Sequence, residues 1–276
     1  MKDGVLAFIG GTGVQLQGDD SPFQDAHDEV VETRWGRTQL TRATLDGRDI
    51  VFLHRHSASA LDGGKAPLAT IPPHRINYRA NIAALKKLGV TAIFASTAVG
   101  SLQRDWMPGT LVLLNDFLDF TTSRSKTFFD ERAVHIDVSE PYCPRLRSLL
   151  LMTANDLNLT LQDGGTYACA EGPRFETPAE IRAYEKWGAD VVGMTGVPEV
   201  VLAREANISY AGVSVVTNFA AGISPQALTQ AEVLDAMRVA LPQVAQLFLT
   251  AARDYHDDPS TPSRRVTEEF GTPNVL

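Results

Sequence analysis

Short apolar runs alternate with stretches of helical spacing along most of the chain. Val5–Ile9 predicts a buried strand, ended by Gly10-Gly11-Thr12-Gly13. Residues 38–53 predict a hairpin turning at Asp46-Gly47, a dipeptide suited to the positive φ of a two-residue turn. Residues 57–70 are small, Gly-rich and polar and are expected to form a mobile loop. Helical spacing over 77–88 stops at Gly89. Residues 90–95 predict a strand running into a small-residue loop at 96–101, and 110–114 predict another strand. A helix over 145–157 and a strand over 166–170 follow. Thr177-Pro178-Ala179-Glu180 reads as a capping box with Pro in the first turn, opening a helix that ends near Trp187-Gly188. A strand at 191–194, a helix at 198–206 and a strand at 209–217 come next. Thr229-Gln230-Ala231-Glu232 is a second capping-box signal, opening a long helix to about Arg253.

Strands alternating with helices predict an α/β fold, a mixed β-sheet core flanked by helices. No linker interrupts the pattern, so residues 1–256 are expected to form a single domain. The polar, Pro-containing residues 257–276 are expected to be a tail, loosely ordered or pinned by a neighbouring subunit. In such folds ligands sit at the carboxyl ends of strands. The small-residue loops at 10–13, 96–101, 195–196 and 218–222 fall there, which suggests one active site.

Composition narrows the classes. A net charge of −8 and the absence of a Lys/Arg run argue against a nucleic-acid partner, while a locally positive pocket for a small anion remains open. Cys143 and Cys169 lack metal-ligand spacing and are expected to be reduced thiols. The apolar run near the start is too short for a signal h-region, and no stretch approaches the about 20 apolar residues of a membrane span. A cytoplasmic enzyme without membrane contact is the expectation.

Several segments carry candidate chemistry. The glycines at 10–13 fit an anion cradle, and equally a tight turn. Arg55 in His54-Arg55-His56 offers planar donors to phosphate oxygens, although the trio also fits a surface ion-pair cluster. His74 and Arg75 are read as structural. In Glu171-Gly172-Pro173-Arg174-Phe175-Glu176-Thr177 an aromatic beside a carboxylate fits a flat heterocycle, and alternatively a core Phe with an acidic helix start. Asn218 offers both a donor and an acceptor to one base edge. Thr195, at a strand end, is a further donor.

Read in order, IGGTG (9–13), RH (55–56), NYRAN (77–81), STAVGS (96–101), EPYCP (140–144), EGPRFET (171–177), WGADVVGMTGVPEVVLAREA (187–206) and VTNFAAG (216–222) resemble the trimeric purine nucleoside phosphorylase and methylthioadenosine phosphorylase family. The resemblance covers most of the chain. It implies phosphorolysis with inorganic phosphate as co-substrate, no metal or coenzyme, and a homotrimer. It also implies that Thr12, Arg55, His56, Thr97, Ala98 and Thr195 bind phosphate, that Met194 underlies the sugar, and that Phe175 and Ala220 line the base pocket. Asn218 then becomes the catalytic group at the purine O6/N7 edge.

Family members acting on 6-aminopurines carry Asp at the position of Asn218 and Ser at that of Glu176. Asn218 and Glu176 instead suit a 6-oxopurine, whose N1–H needs an acceptor. Inosine and guanosine are therefore the expected substrates. At the 5′ end this chain has Gln230, where the family has His or an apolar residue. His135 belongs to a segment that the family uses across the subunit border and is implied in the same pocket. The alternative is thus an S-methyl-5′-thioinosine or S-methyl-5′-thioadenosine phosphorylase releasing 5-methylthioribose 1-phosphate. The loop around Asp62-Gly63-Gly64 departs from the family pattern and fits either a lid or an ornament. A nucleoside-binding module and a hydrolytic nucleosidase are the competing classes. The glycine spacing argues against a nicotinamide enzyme.

Overall fold

A computed structural model describes residues 4–10, 21–56, 71–224 and 230–270, without the side chains of residues 230–234. Thr12, the expected loop at 57–70 and the second capping box at Thr229 lie outside the described residues or side chains.

The described strands are β1 (Val5–Ile9), β2 (Gln24–Thr33), β3 (Gly36–Leu45), β4 (Arg48–Leu53), β5 (Val90–Ser101), β6 (Leu111–Leu113), β7 (Asp116–Asp119), β8 (Leu161–Asp163), β9 (Thr166–Cys169), β10 (Val191–Gly193) and β11 (Ser209–Phe219). The helices are α1 (Tyr78–Lys87), α2 (Pro144–Asp156), α3 (Pro178–Lys186), α4 (Gly196–Glu205) and α5 (Gln230–Asp254). The strands form one mixed sheet in the order β2-β3-β4-β1-β5-β10-β9-β7, with β11 pairing β5 and β6, and β6 pairing β8.

Alternation along β5 sends Ile93, Ala95 and Val99 to one core and Ala92 and Phe94 to the other. The first core is closed by Tyr78, Ile82 and Leu85 of α1 and Val200, Leu202 and Ala203 of α4. The second is closed by Leu146 and Leu150 of α2 and Val244, Leu247 and Phe248 of α5. The central strands of the sheet are therefore buried on both faces, as the expected architecture requires.

Local chemistry sets most element ends. The Asn77 side chain accepts from the Ala80 N–H and caps α1, and Gly89 follows it at φ +78°. Thr177 and Glu180 make both bonds of the capping box on α3. Asp46 (φ 49°) and Gly47 (φ 82°) make the hairpin turn between β3 and β4.

Three expectations need correction. Residues 96–101 are not a loop but the second half of β5. Their small size has another cause: a Cβ on Gly100 would lie 3.1 Å from Asn218 Nδ2 and 3.3 Å from Ala220 Cα. β11 likewise runs on through Asn218, with a register shift between Val216 and Asn218 that re-aims the strand end. The third concerns the tail. Residues 257–270 are pinned by their own chain: Ser263 bonds Ser209 (2.8 Å), Asn207 donates to Thr267 (2.6 Å), and Arg264 pairs with Asp257. Among the described residues no helix is long and apolar enough to cross a membrane.

An alanine at position 47 meets nothing within 4 Å but must hold φ +82°. Gly47→Ala should therefore lose about 1–2 kcal/mol in chemical unfolding with turnover unchanged. Unaltered stability would show that the turn can rearrange.

Candidate active site

The chain ends of β1 and β4 and the middle of β5 meet at Gly10, Arg55 and Ser96. Gly10 adopts φ +114°, and a Cβ there would lie 2.7 Å from both the carbonyl oxygen and Oγ of Ser96. Only a glycine lets the backbone pass so close. Ser96 Oγ is buried and has no hydrogen-bond partner among the described residues.

Arg55 is not part of a surface cluster. Its side chain is 2% exposed and pairs with Glu199, at 1%. Nε donates to Oε2 and Nη2 to Oε1, both at 2.7 Å, and Nη1 donates to the Ser96 carbonyl at 3.0 Å. Tyr210 Oη donates to the same carboxylate at 2.8 Å. Burial opposes the Arg55 charge, but Glu199 outweighs it and holds the guanidinium ionised.

His56 points Nδ1 at the Ile71 carbonyl, 2.9 Å away. A carbonyl only accepts, so Nδ1 carries the proton. Burial, with Arg55 nearby, lowers the imidazole pKa. In the neutral ring Nε2 is then an acceptor.

Thr195 and Gly196 open α4 at the end of β10. Their N–H groups both donate to Tyr167 Oη, at 3.0 and 3.2 Å. Gly193 makes room for that hydroxyl, since a Cβ there would lie 2.4 Å from it. The Thr195 hydroxyl makes no capping bond. Ala98 is exposed although the residues on either side of it in β5 are buried, as expected of a residue facing a cleft. Thr97 differs from expectation in one respect: its hydroxyl is already engaged by Ser214 at 2.8 Å, inside the protein.

The third group comes from residues 171–177 and the end of β11. Gly172 rides over Met194, where a Cβ would lie 2.6 Å from Sδ. Gly222 packs on Pro178 as closely, at 2.8 Å, which docks the turn after β11 onto the start of α3. Glu176 is buried, and among the described residues its Oε1 has no partner. Burial raises its carboxyl pKa. Asn218 lies 2.8 Å from Thr217 Oγ1 through Oδ1, and Nδ2 donates to Phe219 O at 2.8 Å. One N–H and one lone pair of its amide stay unused. Ala220 is buried, its N–H bonded to Ser101 O. Phe175 is 45% exposed and is not a core residue.

Arg124, which the sequence did not single out, ties these groups together. It is buried and donates to Val197 O (2.7 Å), Glu171 O (2.8 Å), Ala170 O (3.3 Å) and Tyr78 Oη (3.2 Å). It thereby joins α1, α4 and the 171–177 segment. Glu199, Tyr167, Tyr210 and Ser96 were also missed, because their partners are remote in sequence. One expected residue is not joined to the site within the single chain, and another lies outside the described side chains. His135 is exposed in the irregular stretch between β7 and α2, and no described hydrogen bond joins it to the site residues. Gln230 begins α5, with its side chain undescribed.

Residues 6–253 match the model of the phosphorylase superfamily. The chain is 49% identical to a probable 6-oxopurine nucleoside phosphorylase of Dictyoglomus turgidum, covering 88% of this chain and 89% of that one. It is 44% identical to a probable S-methyl-5′-thioinosine phosphorylase of Methanothermobacter thermautotrophicus, covering 95% and 88%. A methylthioadenosine phosphorylase of Schistosoma mansoni, solved in complex with adenine, superposes with a TM-score of 0.85 at 31% identity, covering 98% of each chain.

The raised pKa of Glu176 has a consequence for stability. A carboxyl with a folded-state pKa above its unfolded value stabilises the fold while protonated, and that contribution is lost as pH rises through the folded value. Glu176→Gln should therefore melt above the parent in mildly alkaline buffer, with the gap closing as pH falls. A gap independent of pH would contradict this account of Glu176.

Proposed function

The chain belongs to the purine nucleoside phosphorylase and methylthioadenosine phosphorylase family of the phosphorylase superfamily, and on that premise we propose that it phosphorolyses 6-oxopurine nucleosides, inosine and guanosine, to the free base and ribose 1-phosphate. The observation that carries the base assignment is the buried Oε1 of Glu176, unpartnered among the described residues and two residues before Pro178, on which the turn after β11 packs. A 6-oxopurine brings the N1–H that this oxygen lacks. An adenine brings none and would leave a carboxylate buried and unpaired, the situation that gives large discrimination.

In this reading phosphate is a co-substrate, and neither metal nor coenzyme takes part. Arg55, Thr195 and the backbone at Thr97 and Ala98 hold the anion, together with Thr12, and His56 accepts at Nε2 from the P–OH of hydrogen phosphate. Met194 lies under the sugar, and Phe175 and Ala220 border the base. The C1′–N9 bond breaks ahead of the new C1′–O bond to phosphate. The sugar passes through a cation-like state, which the neighbouring anion stabilises electrostatically. The bonding pair leaves with the purine, which takes up at N7, by way of solvent, a proton equivalent to the one that hydrogen phosphate gives up as it becomes the sugar phosphate dianion. Asn218 has one lone pair for that N7–H and one N–H for O6, the two groups its amide leaves unused.

The 5′ substituent is the finer choice. Relatives named for S-methyl-5′-thioinosine match this chain about as well as those named for 6-oxopurine nucleosides. Gln230 stands at the 5′ position and can bond a hydroxyl or flank a thioether. Phosphorolysis of S-methyl-5′-thioinosine to 5-methylthioribose 1-phosphate is therefore the second reading, with the same base chemistry. We further propose a homotrimer in which His135 of one subunit completes a neighbour's 5′ pocket, which accords with its exposure on the single chain.

The test is base release from inosine, 5′-methylthioinosine, adenosine and 5′-methylthioadenosine, with and without phosphate. Phosphate-dependent release from the two 6-oxo substrates is expected. Preference for the adenine substrates would overturn the base assignment, and release without phosphate would overturn the mechanism. Asn218→Asp should lower kcat/KM on inosine by roughly 10²-fold, the scale of losing one oriented donor. Unchanged preference would contradict the role of Asn218.

A further inference from the structure

Arg55 is expected to grip phosphate, yet most of its hydrogen-bonding capacity is already committed. A guanidinium has five N–H donors. Among the described residues three of Arg55's are used: Nε and Nη2 on the two oxygens of Glu199, and Nη1 on Ser96 O. What remains is one N–H on each terminal nitrogen. The Nε side is closed by Glu199, so an anion can meet only the terminal edge, where Nη1 lies 3.4 Å from the position of a Cβ on Gly10.

Glu199 is held as firmly as Arg55. Tyr210, from the start of β11, donates to Oε1. Glu199 itself stands on the second residue of the regular part of α4, after the non-helical Val197. The three side chains come from three elements and none is solvated. A buried pair of this kind can serve stability, charge balance or orientation, and these predict different kinetics.

We infer that Glu199 and Tyr210 are positioning residues for phosphate: they fix the plane of the Arg55 guanidinium so that only its terminal edge faces the anion beside Gly10. The inference rests on the reading of Arg55 as a phosphate ligand. Neither Glu199 nor Tyr210 touches substrate. Their effect passes through the orientation of Arg55, as a planar, forked cation makes possible and a lysine would not.

Charge balance gives the opposite sign. If Glu199 only offset the Arg55 charge, its neutralisation would leave the anion site more positive and phosphate would bind better. If it orients Arg55, Glu199→Gln puts an amide N–H against a guanidinium N–H, turns the guanidinium plane, and phosphate binds worse.

The experiment measures steady-state KM for phosphate and for nucleoside, with melting temperature, in the parent and in Glu199→Gln, Tyr210→Phe and Arg55→Ala. The expected result is a rise of about 10-fold or more in KM for phosphate in Glu199→Gln, the size of one lost hydrogen bond to a charged group. KM for nucleoside should change by less than about 2-fold. Tyr210→Phe, which keeps both Arg55–Glu199 bonds, should show a smaller rise of the same sign and keeps the test open should Glu199→Gln fail to fold. A fall in KM for phosphate, or equal changes in both KM values, would overturn the positioning role. Unchanged KM for phosphate in Arg55→Ala would instead overturn the reading of Arg55 itself. A raised value there with both positioning variants unaltered would leave that reading standing and remove this inference.

Discussion

A charge cannot be buried alone. Arg55 stands at the end of β4 with 2% of its side chain exposed, and Glu199 is the group that makes this possible. Removing one partner of such a pair costs about 3–5 kcal/mol, so the packing of α4 against the sheet and the shape of the anion site depend on the same bonds. α4 in turn begins at Thr195 and Gly196, whose N–H groups are held by Tyr167. Displacing the ion pair would shift the strand end that carries Met194 and Thr195. The anion side of the site and the core under it are one construction.

The base side works by the reverse arrangement. Arg55 is buried with its charge already paired, whereas Glu176 is buried with one oxygen unpartnered among the described residues. An unsatisfied buried acceptor costs stability in the free protein. That cost is recovered when a matching N–H arrives, which turns the same oxygen into a source of selectivity. Gly172 against Met194, Gly222 against Pro178 and the bonds of Arg124 hold this acceptor in place relative to Asn218. The two ends of the site therefore differ in kind, one paired in advance and one completed by its ligand.

Much of this was legible in the sequence wherever a short segment decides its own geometry. The Asp46-Gly47 turn, the Asn77 cap with Gly89, and the Thr177–Glu180 box follow from local hydrogen bonds and backbone freedom. β2 was not read because it is mostly exposed and shows no alternation; only Val31 is buried along it. Residues 96–101 were misread because small side chains signal a loop and a close strand crossing alike, and Gly100 under Asn218 is the latter. The tail was misread because polar residues look loose until their partners, Ser209 and Asn207, are known. Within the site, the resemblance named Arg55, Glu176 and Asn218 but could not show what holds them. Arg55 and Glu199 are 144 positions apart, and the Thr97 hydroxyl turns inward to Ser214 rather than toward an anion.

The central claim is that Arg55 is paired before the anion arrives and stays paired afterwards. A crystal structure with phosphate bound tests it most directly. The account predicts a phosphate oxygen within hydrogen-bond distance of an Arg55 terminal nitrogen beside Gly10, with both Arg55–Glu199 bonds intact. A guanidinium that has left Glu199 to reach the phosphate, or a phosphate bound without Arg55, would contradict it.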